Sequence, residues 1–471
     1  MSGAGTFAPQ ITLDALFQRN AQAGPEATAI TEHGSAGLRE LSYAALNDDV
    51  NAVAAQIEGF KFDTPRNTAL LLPKGGELAI ALLAVMRAGH CAVPMPVAWR
   101  KSDLVRALRT CEAAALITTA NFAHEALPAL AASAASEVFE LSFPCAFGDG
   151  LPDGIIPLSL DRTKQEIKAV ALAQEQAAIA TFGANANGVD LFPRTNAQWL
   201  AAGLSPLLAA DIRQGDTIVS AVPPASLAGV AGAFIPWLLT GGTLELHADM
   251  PREAMFAEGK RVHLLAPARL VPAIAHVLGA PLASSTGVHA GGTADTDFSA
   301  IKSERLCDLY ALGEHAAFAL RRTLPSQSPA VPAGEVPAGA AGGPVTVETS
   351  RSSDGEILVR SALLATSAKA GEWAQTGFSS YAVDGGGFLP VAPPGLLSIG
   401  GLQFGANDLE RRILKAVPDA KVAQTADPLL GTRIVIWSAQ PDHAVDALLE
   451  AGLPRIIAHS VIMAEQARKA G

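Results

Sequence analysis

Short apolar runs alternate with amphipathic helices along most of this chain, and that alternation restricts it to folds in which helices cover a parallel sheet. The first round reads as a strand over 68–72 closed by Pro73, then a helix over 77–88 with Leu78, Leu82, Val85 and Met86 on one face. A strand over Cys91–Pro94, a helix over 102–110 and a strand over 114–118 complete it. A second round has a helix over 196–209, a strand over 217–221, a helix over 229–239, strands over Thr243–His247 and 262–266, and a helix over 267–278. Residues 11–60 read as two helices, 13–20 and 43–57, around a strand pair, 27–31 and 38–41. A chain of 471 residues is too long for one ordinary core. The expected fold class is therefore α/β, with two stacked α/β subdomains.

Residues 324–344 are rich in Pro, Ala, Gly and Ser, the composition of a linker or of a long surface connection. Strands over 345–347 and Glu356–Arg360 favour a small β subdomain after it. Pro393-Pro394-Gly395 marks a boundary, and a helix over 407–415, a strand over 434–437 and a helix over 444–450 form a small α+β tail. The expected division is 1–392 for the large N-terminal domain and 393–471 for a truncated C-terminal domain.

Between the two rounds lies the stretch that bears most on chemistry, 176–208. An apolar strand over 177–182 runs into Gly183, Ala184, Asn185, Ala186, Asn187 and Gly188, residues that tolerate positive φ and leave backbone N–H groups exposed. A helix follows, with Thr195 as its N-cap and Gln198 as the other half of a capping box. Strand, small-residue loop and helix make a layout that suits an anion. The cation is missing: no Lys or Arg lies between Lys168 and Arg194. Arg194 is the nearest candidate to supply one.

A formal charge of −11 argues against general nucleic-acid binding, which needs a concentrated basic face. Four widely spaced cysteines, Cys91, Cys111, Cys145 and Cys307, contain no Cys-x-x-Cys pair and read as reduced, buried thiols. No apolar run reaches the roughly 18 to 20 residues of a membrane span, and Met1 to Gln10 carries no basic-then-apolar leader, so a cytoplasmic location is expected. The ten histidines show no His-x-x-x-His spacing and read as ordinary surface or core residues.

Eight landmarks in order carry a resemblance. They begin with Leu71-Leu72-Pro73 and Glu77, the helix to Ala88-Gly89 and Val93-Pro94, and continue through the segment from Pro223 to Gly229 and Gly241-Gly242-Thr243. Ala290-Gly291-Gly292-Thr293 and the run from Tyr310 to Glu314 follow. The last are Gly355 to Val359, Trp373 to Gly377, and Gly400 to Phe404 leading to Leu409-Glu410. Together they resemble the adenylate-forming superfamily of acyl-CoA synthetases, peptide-synthetase adenylation domains and firefly luciferase, over nearly the whole chain. The resemblance implies an acyl-CoA synthetase-like fold and a reaction in which a carboxylate attacks the α-phosphate of ATP and a thiol such as that of CoA then takes the acyl group. It places phosphate contacts at Thr181 and Gly183, a nucleotide-facing turn at Gly291 and Gly292, adenine on Tyr310, and Mg²⁺ on Glu314. Glu314 is the one catalytic candidate.

The same resemblance exposes departures. Phe182, Ala184 and Asn185 replace hydroxyl residues of the family's phosphate loop, and Val189 falls at its Lys position. Phe378 stands where the family grips ribose with Asp, Ala392 where its hinge carries Arg, and Ala225-Ser226 where an aromatic and a His face the acyl group. The chain reaches Gly471 without the family's C-terminal catalytic Lys segment; Lys469 lacks that context. Losing one preorganised donor costs roughly 10² to 10³ in rate, and losses that act as a unit do not simply multiply. The expectation is a degenerate member that binds an acyl, CoA or acyl-carrier ligand or supports a related active subunit, with ATP, Mg²⁺ and CoA as cofactors only if the ancestral activity persists. The alternative is a weakly active carboxylate–CoA ligase. Tyr310 and Glu314 read either as a surviving nucleotide site or as a packed aromatic and a first-turn carboxylate.

Overall fold

In the computed structural model the described residues are 11–34, 37–122, 125–161, 175–185, 188–247, 259–293, 296–339, 343–361, 364–365, 371–384, 386–399, 402–427 and 430–463. Lys168, Ala186, Asn187, Gly400, Gly401 and Lys469, all weighed above, lie outside them.

Two large, mainly parallel sheets form the body. One has seven strands in the order Ile156–Leu158, Phe143–Phe147, Ala113–Thr119, Asn67–Leu70, Cys91–Pro94, Ala177–Asn185 and Gly188–Thr195. The other has eight, in the order Ala316–Arg321, Leu306–Leu312, Ser284–His289, Val262–Pro267, Thr217–Ser220, Thr243–His247, Thr28–Gly34 and Gly37–Ser42. The central strands are buried on both faces, as parallel strands covered by helices must be. Apart from Glu77 the helix Gly76–Arg87 is buried along its length, so it works as a filling between layers and not as a surface helix.

Each round of strand and helix keeps its own sheet, as expected, but strands from outside the rounds complete both. The early pair Thr28–Gly34 and Gly37–Ser42 joins the later sheet by parallel pairing to Thr243–His247, in the register Ile30↔Leu244 to His33↔His247. The strand Ala177–Asn185 returns to the earlier sheet beside Cys91–Pro94. Both sheets therefore depend on strands far away in sequence.

A five-stranded antiparallel sheet runs Gly334–Pro337, Val345–Arg351, Glu356–Arg360, Ala374–Ala382 and Phe388–Val391. In its described part the Pro- and Gly-rich stretch thus supplies an edge strand, where Pro337 costs no ladder bond. Pro393, Pro394 and Gly395 then make a tight turn, closed by Leu396 N donating to Pro393 O, with Gly395 at φ +81°. After it comes a small sheet of Leu402–Gly405, Leu396–Ile399, Gly431–Ser438, Lys421–Asp427 and Val461–Met463. The amphipathic helix Ala406–Ala416 covers that sheet with Leu409 and Ile413.

Candidate functional site

The small-residue loop is the tip of a β-hairpin and does not open onto a helix. Ala177–Asn185 pairs antiparallel with Gly188–Thr195 in the register Thr181↔Phe192, Gly183↔Asp190 and Asn185↔Gly188. The helix Asn196–Ala210 starts only after the returning strand. Its cap is as expected: Gln198 N donates to Thr195 Oγ1 at 3.3 Å, and Thr195 N donates to Gln198 Oε1 at 2.9 Å. Because a whole strand separates loop from helix, the helix dipole does not serve the loop. Asn187-Gly188 between two apolar runs is the sequence signal for such a hairpin.

Three predicted residues meet at one node. Thr181 Oγ1 donates to Glu314 Oε2 at 2.6 Å, and Leu227 N donates to the same oxygen at 2.8 Å. Gly183 allows this approach, since a Cβ there would stand 3.2 Å from Glu314 Cγ and 2.8 Å from the Phe192 ring. Glu314 thereby caps the helical segment that begins at Leu227. Burial pushes its carboxyl up to about 7, against the pull of Arg194 and of the two hydrogen bonds.

Arg194, the nearest candidate for a loop cation, is turned away from solvent into the same node. It is fully buried, donates to the backbone carbonyl of Glu314, and lies 5.3 Å from the Trp199 ring centroid. It holds the node together from behind.

Glu314 forms part of the wall of a cavity of about 550 Å³. Phe182 and Val189 of the hairpin line it, and Phe182 packs edge-on against Trp99 with centroids 5.4 Å apart. Ala225, Ser226 and Ala392 line it as well, so these positions of departure from the family pattern do face this space. Phe378 behaves differently: strand alternation turns it into the core, near Gly313, and it is not on the wall. Tyr310 is also absent from the wall. It is fully buried, stacks on His289 at 5.1 Å and donates to Pro329 O at 2.6 Å, with burial raising its hydroxyl far above the ordinary tyrosine range. The packed-aromatic reading of Tyr310 is the one that matches this geometry.

Gly291 and Gly292 line the cavity where the C-terminal strands come close. Gly292 has φ +90°, and a Cβ on it would lie 2.6 Å from Ala392 N; one on Gly291 would lie 2.5 Å from Ser398 Cβ. A side chain at Gly292 would displace Val391 and Ala392, and one at Gly291 would push the Leu396–Ile399 strand away.

Sequence reasoning missed two cations. Lys74 and Arg269 both line the cavity, and each follows the carboxyl end of a parallel strand, the edge at which open α/β sheets bind ligands. Lys74 Nζ lies 3.5 Å from Ala221 O. Arg269 Nε would lie 4.0 Å from a Cβ on Gly431.

The C-terminal helix Ala406–Ala416 is clamped onto the helix Lys101–Thr110. Arg106 contacts Asp408 at 3.3 Å, and Arg412 holds Asp103 with both terminal nitrogens while donating to Gly452 O at 2.8 Å. Arg412→Glu sets a carboxylate against Asp103 and Asp408. We expect this variant to release a C-terminal fragment under limited proteolysis that the unaltered protein resists; equal cleavage rates would mean that the clamp does not hold the two parts together.

Comparison with known proteins places this geometry in context. The family described as AMP-binding enzyme matches residues 17–153. Tyrocidine synthase 3 of Brevibacillus parabrevis is 28% identical over 112 residues, 24% of this chain and 2% of that protein. The chain therefore spans only a small fraction of the length of such curated relatives. Among solved structures, the amide bond synthetase McbA from Marinactinospora thermotolerans superposes with a TM-score of 0.70 at 18% identity, covering 96% of this chain and 95% of that one. The anthranilate CoA ligase AuaEII, solved with anthranoyl-AMP, superposes with a TM-score of 0.66 at 16% identity, covering 98% and 95%. Identities this low establish the fold alone.

Proposed function

We propose that this chain, which matches the AMP-binding enzyme family over residues 17–153 and shares the fold of the solved CoA ligase and amide bond synthetase, binds an apolar acyl or aryl carboxylate, free or carried on a thiol, without activating it through ATP. The observation that carries this reading is the wall of the cavity: Phe182 and Val189 line it at the positions where the resemblance would put the phosphate loop's hydroxyl and Lys. A triphosphate needs preorganised cations and N–H or O–H donors around its oxygens. Aromatic and branched side chains offer none, and burying phosphate charge against them is costly.

The Mg²⁺ expected with ATP fits poorly for a related reason. Glu314 is the one carboxylate among the described lining residues, and its Oε2 already accepts from Thr181 and Leu227. Mg²⁺ beside a nucleotide is held by one or two carboxylates with waters and phosphate oxygens, and here that one carboxylate is buried and pushed up to about 7, which makes it a weak ligand near neutral pH.

An apolar acid suits the space better. About 550 Å³ lies within the range of small-molecule pockets, which are mostly apolar with a few placed polar groups. Lys74 and Arg269 would meet the carboxylate or the phosphates of a carrier thiol. The same two cations favour the second reading, a weakly active carboxylate–CoA ligase, because they bring positive charge that the hairpin lacks.

Isothermal titration with decanoate, benzoate and ATP plus Mg²⁺, together with ATP–pyrophosphate exchange, separates the two. We expect one saturable site for an apolar acid, ATP binding at least about tenfold weaker (about 1.4 kcal/mol), and exchange at background. Exchange above background with any acid, or tight Mg²⁺-dependent ATP binding, would replace this proposal by the second reading.

A further inference from the structure

Away from the cavity, the pairing of two distant strands assembles a second cluster of chemically competent side chains. Glu245 and His247 are two residues apart on Thr243–His247, so they project from the same face of the sheet. His33 stands on Thr28–Gly34 directly opposite His247 in the parallel register, and so shares that face. The result is two imidazoles and one carboxylate whose ligand atoms all lie within 4.8 Å of one another.

The geometry is close to that of a metal site. Both Nε2 atoms approach the same oxygen, Glu245 Oε1, at 3.2 Å from His33 and 2.9 Å from His247. Metal–ligand bonds of about 2.0 to 2.1 Å at tetrahedral angles put neighbouring donor atoms about 3.3 Å apart. The two His–Glu separations are thus within a few tenths of an ångström of what a tetrahedral cation would set. The rings stack face to face, with centroids 4.3 Å apart and planes 5° from parallel, so a cation held by both in-plane Nε2 lone pairs would require the rings to tilt toward each other.

The surroundings favour a cation as well. Glu245 and His247 are buried, whereas the side chain of His33 retains 26% of its exposure, leaving an approach from solvent.

We infer that His33, Glu245 and His247 bind a zinc-class divalent cation, with the fourth position left to water on the His33 side. Each imidazole would shift its proton to Nδ1 and present the Nε2 lone pair, so no net proton is lost from a neutral ring. Such a cation clips the strand Thr28–Gly34 to its neighbour Thr243–His247. It is independent of the acyl cavity, and its test does not involve acid or nucleotide.

The test uses the full chain, purified without a histidine tag and stripped with chelator. Titration with Co²⁺ should give one equivalent per chain with the intense visible absorption of four-coordinate cobalt, displaced by Zn²⁺. His33→Ala, at a half-buried position, and Glu245→Gln should each weaken Co²⁺ at least about tenfold, while their far-ultraviolet circular dichroism in chelator matches that of the unaltered protein. Zn²⁺ should raise the melting temperature of the unaltered protein and not that of His33→Ala. Absence of a four-coordinate cobalt spectrum, or equal Co²⁺ affinity in all three proteins, would overturn the inference and leave a hydrogen-bonded His–Glu–His chain.

Discussion

Replacing Arg322 by Ala should destabilise the protein by about 3 to 5 kcal/mol, the cost of stranding a buried charge. The Arg322 side chain is fully buried and donates to both oxygens of Asp308 at 2.8 Å, to Thr296 O and Pro325 O at 2.8 Å, and to Ser328 Oγ at 3.1 Å. Its guanidinium also sits 3.6 Å from the Phe298 ring centroid. Once it is gone, Asp308 keeps His289 Nε2 at 2.8 Å but loses its permanent positive partner. Lys cannot stand in, because the site uses the planar fork of donors. His289 lines the cavity and stacks on Tyr310, so ligand affinity should fall along with stability. Urea denaturation of Arg322→Ala, Asp308→Asn and the double variant checks this. The double variant should lose clearly less than the sum of the singles; strict additivity would show that the pair does not act as a unit.

The second large effect is a pH dependence at Glu314. Its folded carboxyl titrates at about 7 against an ordinary value of 4.5. Between those values the folded protein holds a proton that the unfolded chain has released, so the group's contribution is fully present below about pH 4.5 and is lost as pH rises through about 7. The shift corresponds to about 3 kcal/mol. Glu314→Gln keeps an acceptor for Thr181 and Leu227 but does not titrate. Its stability relative to the unaltered protein should therefore improve by about 3 kcal/mol between about pH 4.5 and 8. A difference that stays flat, or that changes with the opposite sign, would show that the carboxylate is held charged. The same experiment bears on the cavity, since a carboxyl that is half neutral near pH 7 is a poor magnesium ligand.

These two sites mark different levels of legibility. The run Tyr310 to Glu314 was recognisable as a landmark, and Glu314 does stand on the cavity wall. Nothing in that run disclosed that Arg194, more than a hundred residues earlier, would be drawn beneath it, or that Leu227 would offer it a helix end. Tyr310 and Phe378 show the same limit: each lies on a recognisable segment, yet strand alternation and core packing turned both rings inward.

What the sequence by itself determined is local. Capping residues, apolar periodicity and glycine stops act over a few residues, so the helix Asn196–Ala210 with its Thr195 and Gln198 box, and the strands Cys91–Pro94 and Thr243–His247, could be read directly. The order of landmarks also carried the fold class. Only the tertiary structure decided which sheet each strand joins, because parallel pairing links residues far apart along the chain and leaves no short-range pattern. That pairing moved Thr28–Gly34 beside Thr243–His247 and so brought His33 to Glu245 and His247. It also brought Lys74 and Arg269 to one cavity and sent Arg194 into the interior. A side chain's type is written in the chain, but its exposure, partners and protonation depend on what the fold packs against it.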